Sequence, residues 1–199
     1  MQDWRKLLAA IAILAAALSV PGVQAGPLAA STWSQFSFGN AGDLARGCDP
    51  ADPAGAFCIP SFGTPVVPLD APPWTFTALA NTTLVVVDVF ESGDRFEVFD
   101  SGVSLGLTST PAAAGSTDCG DDPVICLGFS GMSSGMFVLG AGSHSITIVP
   151  TLAPSGGGAG YLFVGATAVD EPGETGLLAG AVIALALARR RARSAARRT

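Results

Sequence analysis

Between Trp74 and Gly106 the chain reads WTFTALANTTLVVVDVFESGDRFEVFDSGVSLG, and this stretch constrains the fold more than any other. WTFTA alternates apolar and polar residues, TTLVVVDVF is rich in β-branched residues, ESGD is a turn, and RFEVFDSGVSLG places two more short strands around Asp100-Ser101-Gly102. These segments read as consecutive antiparallel hairpins. Upstream, Trp33, Phe36 and Phe38 mark a first strand, and the Gly-, Pro- and Asp-rich remainder up to Pro73 reads as a long excursion. Downstream, GMFVLGAGSHSITIVPTL gives strand, turn and strand, and SGGGAGYLFVGATAV gives a glycine hairpin connector and a final strand. Thr108 to Val124 reads as a loop. With no amphipathic helical stretch between Gly26 and Val169, the expected fold is all-β: an antiparallel β-sandwich, jelly-roll-like.

The two ends carry a different pattern. Arg5 and Lys6 precede an apolar run from Leu7 to Val20, and Val23-Gln24-Ala25 supplies a small-x-small cleavage site, so residues 1–25 read as a signal peptide with a signal helix. The exported domain is then expected over 26–169. It carries only Arg46 and Arg95 against twelve carboxylates, a net charge of −10. So acidic a surface repels phosphate backbones and argues against nucleic-acid binding. Cys48, Cys58, Cys119 and Cys126 all lie in this portion, an even count that reads as disulfides in an oxidising compartment. Three pairings are open, and local closure favours Cys48 with Cys58 and Cys119 with Cys126.

Residues 170–199, DEPGETGLLAGAVIALALARRRARSAARRT, combine Glu171-Pro172, a short apolar run from Gly176 to Ala188, and an arginine cluster. The run would span about 20 Å as a helix against about 30 Å of hydrocarbon. Arg189, Arg190, Arg191 and Arg193 would hold that end on the cytoplasmic side of a transmembrane helix. This order resembles the PEP-CTERM protein-sorting signal of Gram-negative bacteria, with Asp170 standing where the family has its first proline. The resemblance implies a sorting motif at Asp170, Glu171 and Pro172. It also implies recognition by an exosortase-type membrane processing enzyme, transient residence in the inner membrane, and release to the cell surface or medium near exopolysaccharide. The strand-rich segments are similar to the β-rich ectodomains of such proteins, which implies no activity.

Candidate chemistry is thin. Gly131-Met132-Ser133-Ser134-Gly135 fits G-x-S-x-G, but no acid follows within the domain and the following helix pattern is missing, so a loop serine is expected. His144, the one histidine, reads as an exposed turn residue. Asp88, Glu91 and Asp94 could converge near the ESGD turn, where hard oxygen ligands would suit Ca2+; the alternative is a solvated acidic hairpin that protects a strand edge. Trp33, Trp74 and Tyr161 would stack on sugars if they shared an exposed face. The expectation is an exported, non-catalytic structural or adhesive protein without an obligate cofactor, the rival being a carbohydrate- or calcium-binding β-sandwich module.

Overall fold

The structure is a computed structural model of the chain and describes residues 26–165. The signal segment, the motif Asp170-Glu171-Pro172, the apolar run after it and the arginine cluster lie outside the described residues. Among those residues no helix is long and apolar enough to cross a membrane.

Among the described residues twelve strands form in chain order: β1 (Gly26–Pro27), β2 (Trp33–Phe38), β3 (Cys48–Asp49), β4 (Ala56–Phe57), β5 (Val66–Pro68), β6 (Trp74–Ala78), β7 (Thr82–Asp88), β8 (Arg95–Asp100), β9 (Val103–Leu107), β10 (Ser134–Leu139), β11 (Gly142–Leu152) and β12 (Gly158–Val164). The fold is all-β, as its composition of short β-branched runs dictates. One five-stranded sheet has the order β1-β6-β11-β8-β9, the other β10-β7-β12-β2-β5, and β3-β4 form a small ribbon. The long strands pair antiparallel, while the short β1, β5 and β3-β4 pairings are parallel. The sheets are therefore mixed rather than purely antiparallel.

Hairpin geometry is rarer than the turn signals suggested. Among the described residues only β8 and β9 are a sequential pair joined antiparallel within one sheet; β3 and β4 are sequential but parallel. β6 and β7, β7 and β8, β10 and β11, and β11 and β12 each fall in different sheets. A turn signal marks where a strand stops, but which sheet the next strand joins depends on burial. Val86 and Leu84 of β7 face one way and Val85 and Val87 the other, and both faces are covered.

The main core lies between the sheets. Phe36 and Phe38, Leu84, Val86 and Leu162 meet Trp74, Phe96, Val98, Ile146 and Ile148 across it. Phe96 packs edge-on against Phe36 and Phe38, at centroid distances of 5.5 and 5.0 Å. Each fully buried side chain of this size contributes about 1.5–3 kcal/mol by leaving water. A second cluster covers the outer face of the β7-containing sheet, where Trp33, Val85, Val87, Val89 and Tyr161 pack beneath Cys119, Cys126 and Met132.

That cover includes a helix, α1 (Pro123–Gly128), which begins within the Cys119–Cys126 loop and carries Cys126. The expected helix-free loop is corrected here. Asp122 caps α1, its Oδ1 accepting from the N–H of Val124 at 2.8 Å and of Ile125 at 3.4 Å, and Pro123 occupies the first turn. A turn and a half is too short for amphipathic periodicity to register, and the Asp-Pro start was its one local signal.

Candidate functional site

Three polar arrangements stand out, and each depends on a sharp local change of chain direction. The first is a pair of carboxylates at the β7–β8 crossover. Asp88 points inward at the end of β7 on the same face as Leu84 and Val86, and it has no solvent exposure. Its Oδ1 accepts from the N–H of Val89 at 2.9 Å and its Oδ2 from that of Asp94 at 3.3 Å. The crossover folds Asp94 back on Asp88 through two left-handed backbone positions, Phe90 at φ 61° and Gly93 at φ 136°. At Gly93 a Cβ would lie 2.9 Å from Ala114 Cα and 3.0 Å from Pro154 Cγ, so only glycine fits that bend.

Burial raises the pKa of Asp88, the nearby Asp94 charge adds to it, and the two backbone N–H bonds offset only part; it is pushed up to about 8. Burial likewise pushes Asp94 up to about 6. Asp94 Oδ1 is buried without a hydrogen-bond partner. Glu91 is exposed and lies in a bridge with Asp118, so the crossover unites two of the three expected calcium ligands and not the third. Among the described residues no three His, Cys, Asp or Glu side chains cluster at metal-binding spacing.

A shallow groove of about 400 Å³ runs beside this crossover, lined by Gly93, Pro111, Ala113, Ala114, Leu152 and Pro154 among others. Its walls carry no ionisable side chain, and fully buried Asp88 is sealed from it. The pair therefore lacks the access that a carboxylate couple needs to reach a glycosidic bond.

The second arrangement lies at the other end of β8. His144 is 9% exposed and stacks on Phe76 at 4.9 Å, which corrects its expected place on an exposed turn. Its Nδ1 lies 2.7 Å from Asp100 Oδ2 and its Nε2 2.9 Å from the Gly140 carbonyl. Asp100 Oδ1 also accepts from the Ser145 N–H at 2.9 Å. Burial raises the Asp100 pKa, but the bonds from His144, Ser145 and Ser101 together with the His144 charge outweigh it, holding the carboxyl below its ordinary value. A groove of about 320 Å³ around His144 is lined by Thr75, Thr77, Ser101, Ser143 and Ser145. Both ring nitrogens are already engaged, so the imidazole braces strand ends rather than facing a ligand. Ser133 is elsewhere: fully buried, its hydroxyl bonded to that of Thr108 at 3.1 Å.

The third arrangement ties the Cys119–Cys126 loop to the segment that follows the first disulfide. Cys48 pairs with Cys58 and Cys119 with Cys126, leaving no free thiol. Asp122, while capping α1, also accepts from the Thr64 N–H at 2.9 Å through Oδ2 and from its hydroxyl at 3.0 Å through Oδ1. Burial raises the pKa of this carboxyl slightly, and the Thr64, Val124 and Ile125 donors more than reverse it. In the first loop Asp52 accepts from Arg46 at 2.8 Å and from the Gly47 and Ala54 N–H groups, which outweigh its burial and lower its pKa.

The aromatics expected to form a sugar platform do not share an exposed face. Trp74 is in the inter-sheet core, while Trp33 and Tyr161 lie in the outer cluster, where the Tyr161 hydroxyl donates to the Asp121 carbonyl at 2.6 Å. The Asp100–His144 pair and the Asp122 clamp escaped the sequence reading because their partners lie 44 and 58 residues apart and no local pattern links them. Comparisons with family models, with curated proteins and with solved structures return no match for this chain.

Proposed function

We propose that this chain is an exported surface or extracellular-matrix protein with a structural or adhesive, non-catalytic role, directed to its destination by its C-terminal segment. The observation that carries the reading is the closure of all four cysteines into two local disulfides, each pinning a loop onto the sandwich. Such cross-links persist in oxidising compartments outside the cytoplasm. The N-terminal charged and apolar leader and the C-terminal Glu-Pro, apolar and arginine-rich order supply the route. An exosortase-type enzyme is the expected processing partner and exopolysaccharide the expected surroundings.

The domain itself is read as a jelly roll. Its support is the strand order, since β2-β12-β7-β10 faces β6-β11-β8-β9 with successive strands crossing between the sheets. The carbohydrate-binding alternative draws no support from Trp33, Trp74 or Tyr161, all of them buried.

The test is the intact mass of the protein recovered from membrane and medium of its native host. A chain beginning near Gly26, ending near Glu171-Pro172 and lacking four hydrogens is the expected result. A chain that retains Arg189 to Arg193 in both fractions would overturn the sorting reading.

A further inference from the structure

A sheet edge presents unpaired N–H and C=O groups, and folded proteins normally blunt it with proline, charge, bulges or brevity. Among the described residues three of the four edges of the two large sheets are blunted in this way. β1 has two residues and contains Pro27, β5 has three and contains Pro68, and β9 is set off by a register shift at Val98/Phe99, with Gly106 at φ 124°. β10 is different. It is six residues long, SGMFVL, with no proline, no charge and unbroken register against β7. Met136 and Val138 point outward from it, 70% and 76% exposed, while Phe137 and Leu139 turn to the core.

Charge makes this edge more unusual. On a domain with net charge −10, no Asp, Glu, Lys or Arg occurs from Pro123 to Val169. Facing β9, at the same side of the sandwich, is also free of ionisable side chains.

The open hydrogen-bonding groups are identifiable. The Ser133 C=O accepts from Asp88 N–H of β7, whereas Ser134 uses both its groups on Ser109, donating to its hydroxyl at 3.0 Å and accepting from its N–H at 2.8 Å. Alternate residues of an antiparallel strand bond to opposite sides. The N–H and C=O groups of Met136 and Val138 are therefore the ones directed away from β7.

We propose that the β10 edge is where two copies of this chain associate, pairing β10 with β10 antiparallel about a twofold axis at Phe137. In that register Met136 of each copy lies opposite Val138 of the other, and all four open residues form backbone bonds in both directions. Sliding the axis to Met136 sets Val138 against Ser134, whose groups Ser109 occupies. Sliding it to Val138 sets Met136 against Gly140, whose carbonyl already accepts from His144. A second copy is the fitting occupant because it brings an equally uncharged edge, whereas the rest of an acidic surface repels its like. The outcome is one continuous ten-stranded sheet with an apolar stripe of two methionines and two valines. This goes beyond the functional proposal, since it rests on the described domain alone.

The test co-expresses two forms of the full chain, one Met136→Cys and one Val138→Cys, under conditions in which both native disulfides form. Opposed residues at about 5.5 Å between Cα atoms are within disulfide reach. A cross-linked dimer in the mixture, and much less of it with either form alone, is expected. Val138→Lys in the otherwise native chain should weaken self-association on the order of tenfold, by placing like charges beside the axis. A monomer mass for the native chain at every concentration sedimented overturns the proposal. So does a Val138→Lys dimer of undiminished affinity, or cross-linking of the thiols to a protein of different mass.

Discussion

The two five-stranded sheets are covered differently. The central strands of the β7-containing sheet, β7, β12 and β2, are buried on both faces, by the inter-sheet core on one side and by the Cys119–Cys126 loop with α1 on the other. The β11-containing sheet is buried on one face, and outward residues such as Thr147 and Val149 remain half-exposed. The difference shows what the second disulfide is for: it holds a lid over a second small core that Val85, Val87 and Tyr161 would otherwise present to water. A sheet of this kind gains stability from its loops, not only from its partner sheet.

The largest effect should come from truncating the residue that the lid covers. Tyr161→Ala removes a fully buried ring and its bond to Asp121, and should cost about 3–5 kcal/mol in urea unfolding. Thr147→Ala, on the uncovered face of the other sheet, should cost under about 1 kcal/mol. Equal effects would break the distinction between the faces. Replacing Cys119 and Cys126 by serine should cost about 2–4 kcal/mol. It should also raise binding of a hydrophobic dye more than the same change at Cys48 and Cys58, because only the former uncovers Val85 and Val87. Identical dye binding for both pairs would mean that α1 stays seated without its cross-link.

The carboxylate pair sharpens the contrast in another way, because it lies at an end of the inter-sheet core. Asp88 and Asp94 are raised from an ordinary 3.8 to about 8 and about 6, so the folded state binds their protons more tightly than the unfolded state does. Their contribution is fully present below about pH 4 and is lost as pH rises toward 8. Asp88→Asn, which gives up one of the two accepted N–H bonds at every pH, should flatten that decline. Thermal melts from pH 4 to pH 8 measure it, and an unchanged slope would locate the titration elsewhere. A smaller effect belongs to the clamp between the Cys119–Cys126 loop and Thr64. Asp122→Ala removes the α1 cap and both bonds to Thr64, and should cost about 1 kcal/mol, read as a shift in urea midpoint without change in slope.

Strand existence was legible wherever β-branched and aromatic residues ran together, as in Thr82–Asp88 and Arg95–Asp100. Local cysteine pairing was legible from spacing. Sheet membership was not, because TTLVVVD has no alternation to reveal which face is buried when both are. The candidate site was least legible. Asp88 and Asp94 stood out as carboxylates near a turn, but their burial is a product of the packing around them, which includes segments distant in the chain. A Cβ at Gly158, on the neighbouring strand, would press on Phe38 at 2.8 Å and lie 3.5 Å from Asp94 Oδ2.

By itself the sequence determined an acidic, disulfide-bearing, all-β chain with apolar segments at both ends, because composition, period and cysteine parity are local properties. Tertiary structure alone decided that Val87 and Tyr161 lie under a lid, that His144 braces Asp100, and that β10 is left as an open, uncharged edge. Burial and hydrogen-bond satisfaction are set by which strands become neighbours, and neighbours here come from residues dozens of positions apart.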